Sequence, residues 1–112
     1  MSKRTDKDYV LDIYDSIGRI LTYTSGFEYV QLFADTKTQD AVIRNLEIIG
    51  EAAKGVSEQL QKRHPEVPWR RMAATRDRLI HGYFGVNLEI VWDIIVQELP
   101  RLQAQIHQML EE

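Results

Sequence analysis

Apolar residues recur at steps of three and four along most of the chain, which marks amphipathic helices and not the strict alternation of strands. Val10, Ile13, Tyr14, Ile17, Leu21 and Thr24 form a first stripe, with Asp6 or Asp8 placed to cap its start and Ser25-Gly26 to stop it. A short segment from Phe27 to Phe33 follows and ends at Asp35. A longer helix starts near Thr38; Val42, Leu46, Ile49, Ala53 and Val56 make its stripe and Leu60 continues it. Gly50 and Gly55 lie inside it at a cost in helix propensity, so each predicts a close approach by another element. The prolines at 65 and 68 break the pattern.

Pro68 suits the first turn of the next helix, in which Trp69, Met72, Ala73, Arg76 and Ile80 share a stripe and Gly82 is a stop signal. A turn through Gly85 leads to Asn87, a cap for the last helix. Leu88, Trp92, Ile95, Leu99, Leu102, Ile106 and Met109 form a heptad seam there, widened by Ile90, Val91, Ile94 and Val96. Pro100 interrupts this seam and predicts a kink, because it has no N–H for the carbonyl of Val96. The pattern as a whole predicts an all-α protein, an antiparallel bundle of four main helices plus one short helix.

At 112 residues, with 44% hydrophobic and 28% charged positions, the chain is expected to fold as one domain over 1–112. The absence of cysteine excludes a disulfide framework, a thiolate metal site and a cysteine nucleophile. The charged start MSKRTDKDY has no signal-peptide core, and no apolar run approaches the roughly 18 residues of a membrane span. A cytoplasmic protein without a membrane partner is expected.

The formal charge of −3 excludes a uniformly basic nucleic-acid coat. Its distribution is uneven. From Lys62 to His81 six cations (Lys62, Arg63, Arg70, Arg71, Arg76, Arg78) face two anions, Glu66 and Asp77, a local +4 in a chain whose remainder carries −7. Such a window attracts phosphate; it is equally what a solvated helix face looks like.

Arg76 stands where the stripe calls for an apolar residue, and a guanidinium there must be paired or face a cleft. His81 follows at the predicted helix end and Tyr83 two residues later, giving R-x4-H-x-Y. Five residues turn an ideal helix by about 140° from alignment, so the two side chains converge where the helix is released, or across a two-fold interface. His exchanges a proton near neutral pH. Arg holds a phosphate by two hydrogen bonds and offsets charge building on its oxygens. The pair suits metal-free RNA cleavage: the ribose 2′-OH attacks phosphorus, His81 moves a proton and Arg76 steadies the pentacovalent phosphate. The same residues also have structural roles open to them. Arg76 can pair with Glu47 or Glu51, and His81 can cap its helix.

Beyond R-x4-H-x-Y, the stretch Ala41–Lys54 (AVIRNLEIIGEAAK), Pro68-Trp69, Arg76–Phe84, Val91-Trp92 and Tyr23–Asp35 (YTSGFEYVQLFAD) give the chain a specific likeness over nearly its whole length. It resembles the HepT-like toxins of the HEPN superfamily, small helical ribonucleases of prokaryotic toxin–antitoxin pairs. The resemblance implies that Arg76 and His81 are the catalytic pair and that Asp77 supports the site. It also implies a homodimer with both Arg–His sets in a shared cleft, and RNA as substrate. The partner it implies is an MntA-like minimal nucleotidyltransferase antitoxin that transfers AMP from ATP to Tyr83. Arg70, Arg71 and Arg78 are candidates for guiding RNA. The heptad seam leaves room for assembly beyond the dimer.

No cofactor is called for. The three histidines show no metal-ligand spacing; His64 reads as a surface residue in the proline-bounded linker and His107 as solvent-facing. Tyr23, Phe27, Tyr29 and Phe33 read as core, Trp69 and Trp92 as core or interface. Glu47 and Glu51 read as partners of Arg44, Lys54 or Arg76. Two further readings of the chain stand beside the nuclease: a non-catalytic helical nucleotide- or substrate-binding partner of a minimal nucleotidyltransferase, and a dimeric scaffold with a merely paired Arg76.

Overall fold

Thr5 starts the first helix, α1 (Asp6–Tyr23). Its hydroxyl accepts the Asp8 N–H at 3.2 Å, while the Asp8 carboxylate accepts the Thr5 N–H at 2.9 Å. In this reciprocal capping box the hydrogen bond from the Thr5 backbone holds the Asp8 carboxyl below its ordinary range. The cap is therefore Thr5, and not Asp6 or Asp8. Asp6 instead reaches across the fold, accepting the Ser57 N–H at 2.8 Å and the Ser57 hydroxyl at 2.6 Å. These coordinates form a computed structural model that describes residues 3–79 and 85–112.

Beyond α1, Gly26 takes a positive φ of 77°, the left-handed turn that a side chain would resist. A six-residue α2 (Tyr29–Ala34) follows, then α3 (Thr36–Gly55). Asp35 caps α3 by accepting the Thr38 N–H at 3.0 Å, so the helix begins two residues before the predicted Thr38. α3 also ends earlier than its stripe suggests. Ser57 caps a separate α4 (Glu58–Arg63) and accepts the Leu60 N–H. Because Ser57 is bound to Asp6, the end of α3 lies at the start of α1, and the two helices run antiparallel in the most extensive packing of the fold. α5 (Trp69–Ala73) and α6 (Thr75–Leu79) come next, then α7 (Leu88–Asp93), a π-helical turn over Ile94–Glu98, and α8 (Leu99–Glu111).

Every element among the described residues is helical. The four main rods are α1, α3, α5–α6 and α7–α8, with α2 and α4 as short additions. Val10, Ile13, Ile17 and Ile20 of α1 meet Val42, Leu46 and Ile49 of α3, and Val91, Ile94, Leu99, Leu102 and Ile106 close the core from the other side. The proline kink takes a particular form. The Leu99 N–H donates to the Ile94 carbonyl five residues back, and the wide turn absorbs the missing donor of Pro100, which then sits in the first turn of α8. The extra residue shifts the inward face before the turn: Val91, Ile94 and Ile95 are buried there, while Leu88 and Trp92 of the predicted seam are half-buried.

Three readings of individual residues are corrected. His64 is buried, with Nδ1 3.3 Å from Glu66 and Nε2 3.4 Å from Glu112, because the prolines fold the linker back under α8. Tyr23, the last residue of α1, is exposed, and so is Phe33, since a helix as short as α2 turns only Leu32 inward. Phe27 and Tyr29 are half-buried, Tyr29 lying edge-on to Trp92. His107 is exposed as expected and meets the Tyr14 hydroxyl at 3.2 Å. No helix among the described residues is long and apolar enough to cross a membrane.

Candidate active site

The helix predicted to run without interruption from Pro68 to Gly82 is broken at Ala74. Pro68 stands just before α5 as its N-cap, and its carbonyl accepts the Met72 N–H at 2.9 Å. Trp69 anchors the start, donating its indole N–H to the His64 carbonyl at 3.0 Å. Six residues later the Thr75 hydroxyl donates to the Met72 carbonyl at 2.7 Å. A threonine that bonds back onto its own helix bends it, and here Ala74 leaves the α region at φ −89°, ψ 6°. The joint lies directly on α3. A Cβ built at Gly50 would stand 3.1 Å from the Met72 carbonyl oxygen. The predicted close approach at Gly50 is therefore real, and so is that at Gly55, where an added Cβ would strike the Tyr9 ring.

Gly50→Ala should accordingly lower stability by about 1–3 kcal/mol, because the obstacle is main chain that cannot swing away and the overpacking outweighs the gain in helix propensity. Urea denaturation of the two proteins reads this directly; a variant as stable as the wild type would show that the joint yields freely.

The break changes the phase of α6. Thr75 and Leu79 turn inward and are buried, and Arg76, predicted on the buried stripe, is exposed. Its side of α6 faces a shallow cavity of about 270 Å³ lined by Arg44, Glu47, Gly50, Glu51, Lys54, Ala73 and Arg76. Glu47 and Glu51 border this cavity, yet among the described residues no carboxylate lies within ion-pair distance of Arg76; Glu51 pairs with Lys54 at 3.4 Å. Asp77 and Arg70 are also exposed. The Asn87 N–H donates to the Leu79 carbonyl at 2.8 Å, drawing the start of α7 to the end of α6. Asn87 caps α7 as predicted, accepting the N–H groups of Glu89 and Ile90. Ile80, His81, Gly82 and Tyr83, with the predicted helix stop, lie outside the described residues.

On the opposite side of α6 lies a residue that no motif singled out. Glu98, at the end of the π turn, accepts from both Arg71 and Arg78. Its Oε1 takes Arg71 Nε and Arg78 Nη1, each at 3.1 Å; its Oε2 takes Arg71 Nη2 at 3.1 Å and Arg78 Nη2 at 2.6 Å. Partial burial pushes the Glu98 carboxyl up, but the hydrogen bonds and charges of Arg78 and Arg71 outweigh it and hold its pKa down to about 2. The same contact pushes Arg71 above its ordinary value. One signal was available in the sequence: Glu98 is the single carboxylate between Asp93 and Glu111.

A carboxyl depressed in the folded state adds stability that is complete above its ordinary value and is lost as pH falls through the folded one. The Glu98 contribution should therefore be full above pH 4.5 and vanish towards pH 2. Urea unfolding at pH 6, 4 and 3 should show the gap between wild type and Glu98→Gln narrowing with acidification. A gap independent of pH would mean that the charge of Glu98 contributes nothing.

A helical bundle with an exposed arginine beside a groove is compatible with many activities, and comparison with known proteins narrows them. The Ribonuclease HepT-like family matches residues 13–109. A protein of Methanocaldococcus jannaschii bearing an RNase designation is 39% identical over 112 residues, covering 100% of this chain and 93% of its own. A Thermococcus cleftensis protein with the name "Probable ribonuclease HepT" is 43% identical over 107 residues, 96% of this chain and 97% of that one. A relative from Caldanaerobacter subterraneus, also carrying an RNase designation, is 35% identical over 109 residues, 97% of each chain. No solved structure matches. The class that fold and comparison define together is that of small all-helical ribonucleases. The chain belongs to the HepT-like ribonuclease family, in agreement with the resemblance read from its sequence.

Proposed function

We propose that the protein is a metal-independent endoribonuclease toxin of a type VII toxin–antitoxin pair. Its site is formed by Arg76 and His81 in a cleft between two copies of the chain, and it is silenced by AMPylation of Tyr83. The observation that supports this reading is the exposed Arg76 guanidinium, without a carboxylate partner among the described residues, on α6, whose described residues stop two before His81. An arginine free of internal pairing is ready to receive a phosphate.

In the proposed step the ribose 2′-oxygen forms a bond to phosphorus and the bond from phosphorus to the 5′-oxygen breaks. The proton of the 2′-hydroxyl is removed and one is supplied to the 5′-oxygen; His81 moves a proton in this exchange. Arg76 offsets the charge that builds on the non-bridging oxygens. The products are a 2′,3′-cyclic phosphate, or its hydrolysed form, and a 5′-hydroxyl. Asp77, beside Arg76 on α6, supports the site. Among the arginines read as RNA guides, Arg70 is exposed and has no ion-pair partner among the described residues, whereas Arg71 and Arg78 are held by Glu98. Direct phosphate contact outside the catalytic pair is therefore assigned to Arg70.

The antitoxin, an MntA-like nucleotidyltransferase, joins the Tyr83 oxygen to the α-phosphorus of ATP and releases pyrophosphate. The added AMP brings bulk and negative charge to within two residues of His81 and repels the RNA backbone. Incubation of the purified protein with RNA in the presence of a chelator tests the reading. Cleavage leaving cyclic-phosphate ends is expected. Binding of RNA or nucleotide without cleavage would instead identify the non-catalytic partner of a nucleotidyltransferase.

A further inference from the structure

α6, described over five residues, is separated from α5 by the joint at Ala74, so α5 does not by itself set its direction. It nonetheless carries Arg76. Arg71 lies before the joint and Arg78 after it, and both guanidiniums grip one carboxylate on another rod of the bundle. Two residues along a helix are about 200° apart, so the face of α6 that Arg78 presents to Glu98 is nearly opposite the face that bears Arg76. Drawing Arg78 onto Glu98 turns Arg76 the other way, towards the cavity on α3. Arg78 is largely covered, and each Glu98 oxygen accepts two N–H groups, which distinguishes the cluster from an ordinary exposed ion pair.

From this geometry we propose that Glu98 is a positioning residue of the active site: through Arg71 and Arg78 it clamps the two halves of the broken helix and fixes the direction in which Arg76 points. The proposal rests on the reading of Arg76 as catalytic. It assigns Arg71 and Arg78 to Glu98 and not to RNA. The low pKa of Glu98 keeps the clamp charged throughout the range in which a histidine titrates.

The test compares Glu98→Gln, Arg78→Gln and the double variant with wild type, on an unstructured RNA oligonucleotide in chelator, with kcat and KM measured separately. Amide hydrogen exchange of α6 is followed in the same four proteins. Glu111→Gln, at an exposed ion pair on α8 remote from α6, is the control expected to leave kcat unchanged. Each single variant should lose on the order of 10- to 100-fold in kcat, the cost of a small misplacement, with KM within about twofold. The double variant should lose no more than either single one, because both break the same clamp. Exchange of the α6 amides should rise about tenfold or more while α1 and α3 stay protected.

Wild-type kcat in Glu98→Gln would overturn the proposal. So would a raised KM with intact kcat in Arg78→Gln, which would make Arg78 an RNA contact. Unchanged α6 exchange would overturn it too. If wild type itself leaves RNA uncut, the nuclease reading fails, and the exchange measurement still decides whether Glu98 orders α6.

Discussion

Replacing Arg76 with alanine is expected to reduce metal-independent RNA cleavage by about 10²- to 10³-fold, the usual cost of removing one donor aimed at developing oxyanion charge. The melting temperature should stay within a degree or two, because Arg76 is exposed and has no carboxylate partner among the described residues to be left unpaired. That combination separates chemistry from folding. An arginine that merely held α6 against Glu47 or Glu51 would lose stability together with activity. Arg76→Lys should recover only part of the rate, since an ammonium keeps the charge but not the planar fork that grips two phosphate oxygens. His81→Ala should cost about 10²- to 10⁴-fold, the range for a general acid or base. Single-turnover assays with all three variants check these values. Equal cleavage by wild type, Arg76→Ala and His81→Ala would point to a contaminating nuclease.

Tyr83→Phe is expected to separate activity from its control. The variant keeps the ring and loses only the oxygen that accepts AMP, so cleavage should stay close to wild type. Incubation with the nucleotidyltransferase and ATP should silence the wild-type enzyme almost completely and leave the phenylalanine variant active. Intact mass should show AMP on the first protein alone. Enzymatic silencing of Tyr83→Phe would move the modification to another residue. Loss of cleavage in the unmodified variant would give the hydroxyl a part in catalysis.

Most helices were legible because their stripes are long: Val10 to Ile20, Val42 to Ala53, and Leu99 to Ile106 each repeat often enough to show which face is buried. Local chemistry was legible too where one residue settles it, as at Gly26 and Asn87, whereas the cap at Asp35 was not read and α3 starts ahead of the expected Thr38. What escaped depends on contacts between distant segments. Alanine is the best helix former, so nothing at Ala74 announces a break; the break comes from the Thr75 hydroxyl and from the seat that Gly50 offers on α3. The end of α3 at Gly55 likewise depends on the bond between Ser57 and Asp6, 51 residues apart.

The same holds for the site. R-x4-H-x-Y drew attention to Arg76 through its apparent burial, and the broken helix exposes it instead. The positive window between Lys62 and His81 proved divided. Two of its arginines face Glu98, beyond the window's end, so the count of charges along the chain overstates what α5 and α6 offer to a polyanion. A lone carboxylate in a long acid-free stretch is the kind of signal that finds such a partner, once the bundle is known to bring the last helix against the motif helix.

The most direct measurement compares one RNA oligonucleotide with its fully 2′-O-methylated counterpart, both incubated with the wild-type protein in chelator, with the product ends identified by mass. Attack by the neighbouring ribose oxygen under Arg76 and His81 predicts cyclic-phosphate ends from the first and an intact second. Equal cutting of the methylated strand, or products bearing 5′-phosphates, would contradict it.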